Sequence, residues 1–163
     1  MNCLSNSQII KFKIQVDNNS IAKYKDHITG TIYINFNDTF FPEKNWNDFV
    51  IILINNWIES SYNILSGITE FEEFYFMDGP FFMRVRKVDS DICIVELIEN
   101  HTDILSNFRV NTKDIFDEIL KAVILLNKYC ESQGWETEDI KKLQYFSNKF
   151  TTHKPDEPDL AAL

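Results

Sequence analysis

Glycine, proline, cysteine and histidine are all scarce in this chain, at four, four, three and three of 163 residues. The glycines, at positions 30, 67, 79 and 134, never cluster into GxGxxG or GxxxxGK, so a backbone cradle for phosphates has no basis in the sequence. Their shortage, beside high counts of Phe, Ile and Asn, reads as AT-rich coding rather than as a structural demand. The three cysteines, Cys3, Cys93 and Cys130, are odd in number and lack CxxC spacing, which argues for a reducing compartment. Cys93 lies in an apolar run and Cys130 on a helical pattern, where cysteine acts as a small buried hydrophobe. His27, His101 and His153 stand far apart with no HxH or HExxH spacing, and Glu99, His101 and Asp103 form only a polar bend, so no metal site is expected. GxSxG is missing, and nothing in the sequence pairs a cysteine with a histidine. Carboxylate pairs such as Glu72/Glu73 and Asp89/Asp91 arise by chance in an acidic chain. Neither enzymatic activity nor a cofactor is expected.

Long hydrophobic runs are also missing. "FVIILINNWI" is interrupted by Asn55 and Asn56 well before it could cross a bilayer, and "MNCLSNSQIIKF" lacks the basic and apolar regions of a signal peptide. The expectation is a cytoplasmic protein without a membrane partner. A hydrophobic content of 44% with 14% aromatics suffices for a core, and the length suits one domain rather than two.

Positive charge is absent from one stretch. The net charge is −9, and residues 45–83 carry six acids (Asp48, Glu59, Glu70, Glu72, Glu73, Asp78) and no Lys or Arg. Such a field repels nucleic acid and anionic membrane and favours encounter with a basic partner; acidity that serves solubility alone is the competing reading. Arg84, Arg86 and Lys87 beside Phe81 and Phe82 are too few for a nucleic-acid site, and Arg84 and Arg86 are expected to pair with carboxylates on a neighbouring strand such as Glu96.

What is present is strong periodicity. Ile10, Phe12, Ile14 and Val16 alternate with polar residues, as do Ile32, Ile34 and Phe36, which predicts two antiparallel strands. From Trp46 the apolar spacing becomes helical through Leu65, with Asn45 as the expected N-cap, Asp48 in the first turn and Gly67 at the C-terminal end, placing a helix over residues 46–66. "FEEFYFMDGPFFMRVRKV" predicts a hairpin whose turn is wider than two residues, because Pro80 has no N–H to close it. "ICIVELI" is a further strand at about residues 92–98. Thr112 is expected to cap a second long helix ending at Gly134, and Thr137 a shorter third with Ile140 and Leu143 inward. The resulting order, β-β-α-β-β-β-α-α, predicts a single α+β domain over residues 1–150. Its antiparallel sheet has about five strands, with two long helices and one short one, and residues 151–163 form a mobile acidic tail.

In the hairpin, Phe74 and Phe76 are expected in the core with Tyr75 and Met77 on the other face. Aromatic anchors rimmed by carboxylates suit a basic protein patch, which singles out Glu70, Glu72, Glu73 and Asp78 with Tyr75 and Phe82 as anchors. The competing reading covers the same rings with the chain's own C-terminal helix.

A small acidic α+β chain with "WNDFVIILINNWIE" on a helix, followed by "FYFMDGPFF" at a hairpin, resembles the immunity proteins encoded beside bacterial polymorphic or contact-dependent toxins, over roughly residues 10–135. The resemblance implies a cytoplasmic protein, and a monomer or weak dimer is expected. It would bind a cognate toxin domain, often a basic nuclease, and block it by occlusion, with no direct nucleic-acid contact and no catalytic residues to carry over. Two other classes stay open. One is a phage- or plasmid-encoded acidic inhibitor that mimics nucleic-acid charge. The other is a small-ligand-binding protein or enzyme with an enclosed pocket around His101 or Arg109.

Overall fold

The computed structural model describes residues 8–152. Strands Lys13–Tyr24 (β1) and His27–Phe36 (β2) pair as an antiparallel hairpin. Thr39–Phe41 (β3) and Asn47–Asp48 (β4) both add to β2, completing the first sheet. A helix, Val50–Leu65 (α1), leads into a second sheet of Phe71–Tyr75 (β5), Phe81–Lys87 (β6), Ile92–Glu99 (β7) and Asp103–Asn111 (β8), antiparallel neighbours in chain order. Helices Thr112–Gln133 (α2) and Glu138–Thr152 (α3) close the domain. Among the described residues the fold is therefore α+β with three helices, as the periodicity predicts. Its strands divide into two sheets of four rather than one of about five. The additional strands are β3 and β4, only three and two residues long, and β8, where "NFRV" alone is too short to announce nine residues.

Helix α1 starts four residues later than its apolar spacing suggests. Asn45 does not cap it but takes the left-handed conformation (φ 64°), and the following residues pair with β2, Asn47 opposite Thr31 and Asp48 opposite Gly30. At the far end the helix closes as expected, with Gly67 at φ 79° donating its N–H to the Ile64 carbonyl. Asn111, rather than Thr112, caps α2, its side chain accepting the Lys113 N–H at 3.0 Å. Gly134 ends α2 in the left-handed region, and the Thr137 hydroxyl accepts the Ile140 N–H at the start of α3. The third helix has 15 residues, nearly the length of α1 at 16, and buries Ile140 and Leu143. The expected tail begins inside it, and residues 153–163 lie outside the described residues.

One apolar core runs between the sheets and the helices. Phe36 of the first sheet stacks on Phe108 of the second at 4.8 Å, and Phe41 meets Phe76 and Phe81 edge-on. Trp57 of α1, 1% exposed, packs edge-on against Phe74 and Phe76 and donates its indole N–H to the Tyr75 carbonyl at 2.9 Å. That bond occupies a main-chain acceptor on the edge of β5 and ties the strand to the helix. We expect Trp57→Ala to lower the unfolding free energy by about 3–5 kcal/mol in denaturant titrations. Trp57→Phe, which keeps apolar contact but leaves the Tyr75 carbonyl unpaired, should cost about 1–3 kcal/mol.

Candidate partner-binding face

The register of β5 and β6 decides which side chains of the aromatic hairpin meet. Phe74 lies opposite Met83 and Glu72 opposite Val85, and these point toward the helices. Phe71, Glu73 and Tyr75 lie opposite Arg86, Arg84 and Phe82 on the outer face. Phe74 and Phe76 are buried while Tyr75 and Met77 are exposed, the division that alternation predicts.

The six acids of residues 45–83 do not form one surface. Asp48 is buried, and Glu59 on α1 pairs with Lys142 at 3.8 Å. Glu72 sits on the helix side, where Asn63 Nδ2 and Thr69 Oγ1 donate to its Oε1 at 3.0 and 3.3 Å. Glu73 occupies the opposite face, while Glu70 and Asp78 are exposed at the two ends of β5. The physical reason is the two-residue period of a strand: adjacent carboxylates such as Glu72 and Glu73 are neighbours in sequence but stand on opposite sides of the sheet. A row of carboxylates spaced like phosphates is not formed by these six.

What the fold does assemble is a mixed aromatic and cationic face. Tyr75 stacks on Phe82 at 5.0 Å and donates its hydroxyl to Glu73, which faces Arg84 at 4.0 Å. Phe82, expected as an exposed anchor, is only 4% exposed, because Tyr75 and the Arg84 side chain cover it. Arg84 is also in register with Glu96, but its ion pair is with Glu73. The ladder continues across the sheet, Tyr75 beside Phe82, Phe82 beside Ile98 and Ile98 beside Ile104. Phe82 and Ile98 are buried yet lie outside the contiguous core, whereas Phe71, Tyr75 and Ile104 are 46%, 45% and 52% exposed. The outer face thus has apolar substance of its own. Phe71 and Ile104 were not singled out from sequence; the available signal was "ICIVELI", which is apolar at both alternations and so reads as a strand with two apolar faces. Around this centre the loop ends carry exposed acids: Glu70, Asp78, Asp89, Asp91 and Asp103.

The turn at the edge of this face is held by Asp48. Its carboxylate accepts N–H groups from Met77 at 3.0 Å, Asp78 at 3.3 Å and Phe49 at 2.7 Å, and the Trp46 indole N–H at 2.9 Å. Phe76 donates its N–H to the Phe81 carbonyl, so the connection spans Met77–Pro80, the wider turn that Pro80 requires. Gly79 lies under Trp46, and a Cβ there would come within 3.0 Å of the indole.

The remaining candidate chemistry lies elsewhere. Burial pushes the Cys130 thiol up to about 11 and raises that of Cys93, whose Sγ lies 3.1 Å from Thr112 Oγ1, so both are protonated near neutral pH. His101 is exposed in the β7–β8 turn at φ 70°. An open groove of about 530 Å³ between Lys11, Phe12 and the first turns of α2 is lined in part by Phe116, Glu118 and Leu120, and includes neither His101 nor Arg109.

Comparison with known proteins finds no family model, no curated protein and no solved structure that matches this chain.

Two outcomes test this geometry. Asp48→Ala strips several buried or half-buried N–H groups of their acceptor, and should cost about 3 kcal/mol or more and accelerate amide exchange at Met77 and Asp78. The hydrogen bond to Glu73 favours the protonated Tyr75 phenol and raises its pKa above the ordinary 10.0. The folded state then holds that proton to higher pH, so the stabilisation is complete below the unfolded value and disappears as pH rises through the folded one. A spectrophotometric difference titration against Tyr75→Phe should isolate a phenol ionising above 10.0.

Proposed function

We propose that this chain is a non-catalytic, immunity-type protein that acts in the cytoplasm as a monomer or weak dimer. It would bind one cognate toxin domain and block it by occlusion, with the outer face of the second sheet as the docking surface. The observation that carries the reading is the apolar row Tyr75, Phe82, Ile98 and Ile104 on the face turned away from the helices, where an unpartnered antiparallel sheet ordinarily alternates to polar side chains. Rigid rings at the centre supply desolvated area, and the exposed acids at the strand ends steer a basic domain toward it. The layout resemblance of "WNDFVIILINNWIE" and "FYFMDGPFF" supplies the class of partner. Among the described residues no helix is long and apolar enough to cross a membrane.

The test is binding to a toxin domain encoded beside this chain. Tyr75→Ala is expected to weaken that complex by about thirtyfold or more, mainly through faster dissociation, with a melt well above the assay temperature showing that the variant, although it loses the Glu73 hydrogen bond and the stacking on Phe82, stays folded. Glu73→Lys should slow association and flatten its salt dependence, whereas Glu72→Lys, on the helix side, should act on stability instead. Identical kinetics for Tyr75→Ala and the parent protein would remove this face from the proposal.

A further inference from the structure

Arg84 uses few of the donors it presents. Its guanidinium carbon lies 5.8 Å from the ring centroids of both Phe71 and Phe82, so the charged plane is held among aromatic groups. Its Nε is buried with no hydrogen-bond acceptor, while the side chain as a whole keeps 34% of its surface. Glu73, its ion-pair partner, stands at 4.0 Å, beyond hydrogen-bond range, and directs its other carboxylate oxygen to the Tyr75 hydroxyl. A guanidinium offers five N–H groups in a planar fork, and those on the Nη atoms, in the part of the side chain left open, are the ones an arriving acceptor meets. Two residues along, Arg86 is exposed on the same face, opposite Ile94, which in turn lies opposite Arg109. The carboxylates on this part of the face are Glu73 and Glu96. Asp89 lies near enough to Arg109 to interact with it, so the face is close to balanced in charge within a chain of net charge −9, and Arg84 is the cation on it that rests between two rings.

We infer that Arg84 is an anion-recognition point at the centre of the docking face, which takes a carboxylate of the partner protein on its guanidinium fork between Phe71 and Phe82. The inference rests on the reading of this face as a docking surface and names the chemistry of its middle. The rings orient the fork before the partner arrives, so less freedom is lost on binding. A phosphate would fit the same fork, but the acids at the surrounding loop ends, Glu70, Asp78 and Asp103, repel a polyanion. They attract instead a largely basic protein surface that carries one acidic side chain. Such a partner meets the rim with its cations and the centre with its carboxylate.

The experiment uses the full chain and two capped tripeptides, Ac-Ala-Glu-Ala-NH2 and Ac-Ala-Gln-Ala-NH2, in separate NMR titrations that follow the arginine Nε–H signals and the backbone amides. The glutamate peptide should shift the Arg84 Nε–H saturably, with an apparent affinity about fivefold or more above that of the glutamine peptide. The amides of Glu73, Tyr75 and Arg84 should move with it. Arg84→Lys, which keeps the charge and loses the fork, should abolish the preference, with the circular dichroism spectrum and melt confirming that this variant folds. Equal shifts with both peptides, or shifts spread evenly over the exposed lysines, would overturn the inference. Inorganic phosphate binding at Arg84 more tightly than the glutamate peptide would overturn its assignment to a protein carboxylate. If the toxin domain binds while the glutamate peptide does not, this inference alone falls. Preference for the glutamate peptide without toxin binding supports the anion site and removes the toxin reading.

Discussion

A single buried carboxylate holds three parts of the molecule in register. Asp48 ends the first sheet, is separated from the start of α1 at Val50 by Phe49, and accepts the Met77 and Asp78 N–H groups of the turn in the second sheet. A buried carboxylate is tolerated when donors surround it, and here the indole N–H of Trp46 and three main-chain N–H groups do so. The same indole covers Gly79 and meets Phe81 edge-on at 5.4 Å, so apolar and polar contacts close together over the turn. Because that turn begins the ladder carrying Tyr75 and Phe82, the orientation of the outer face follows from a residue on the other sheet.

The second sheet is apolar on both sides, but for different reasons. Its inner face joins the core through Phe74, Met83, Val85, Val95 and Leu97 beneath the helices. Its outer face sets a smaller cluster of rings and aliphatic groups among arginines and carboxylates, close to neutral in charge, with the unpaired acids displaced to the loop ends. In the proposed docking, surface charge at the ends, acting over a Debye length of about 8–10 Å, would govern encounter, and the rings and the oriented guanidinium would govern what is held after contact. A net charge summed over the chain describes the first of these and not the second.

Much of this fold was legible in the residues. The alternation of Ile32, Ile34 and Phe36, the helical spacing of Leu53, Ile54, Trp57 and Ile58, and Gly67 and Gly134 at helix ends all express local rules, and each holds in the structure. The start of α1 was not legible, because Trp46 and Phe49 satisfy the helical period while Asp48 is engaged by backbone groups some thirty positions away. The division into two sheets was hidden for a similar reason, since β3 and β4 are too short to show a period and are strands only because β2 offers them an edge.

By itself the sequence determined the α+β class, the C-terminal ends of α1 and α2 at Gly67 and Gly134, and the inward and outward division of Phe74 to Met77, since these depend on periods of two and 3.6 residues and on local capping. Only the tertiary structure decided that Glu72 and Glu73 part company, that Phe82 is covered, and that Phe71, Arg84, Ile98 and Ile104 share one face with Tyr75. Strand pairing brings together side chains that no local spacing relates, and a charge run along the chain is divided by the sheet it builds.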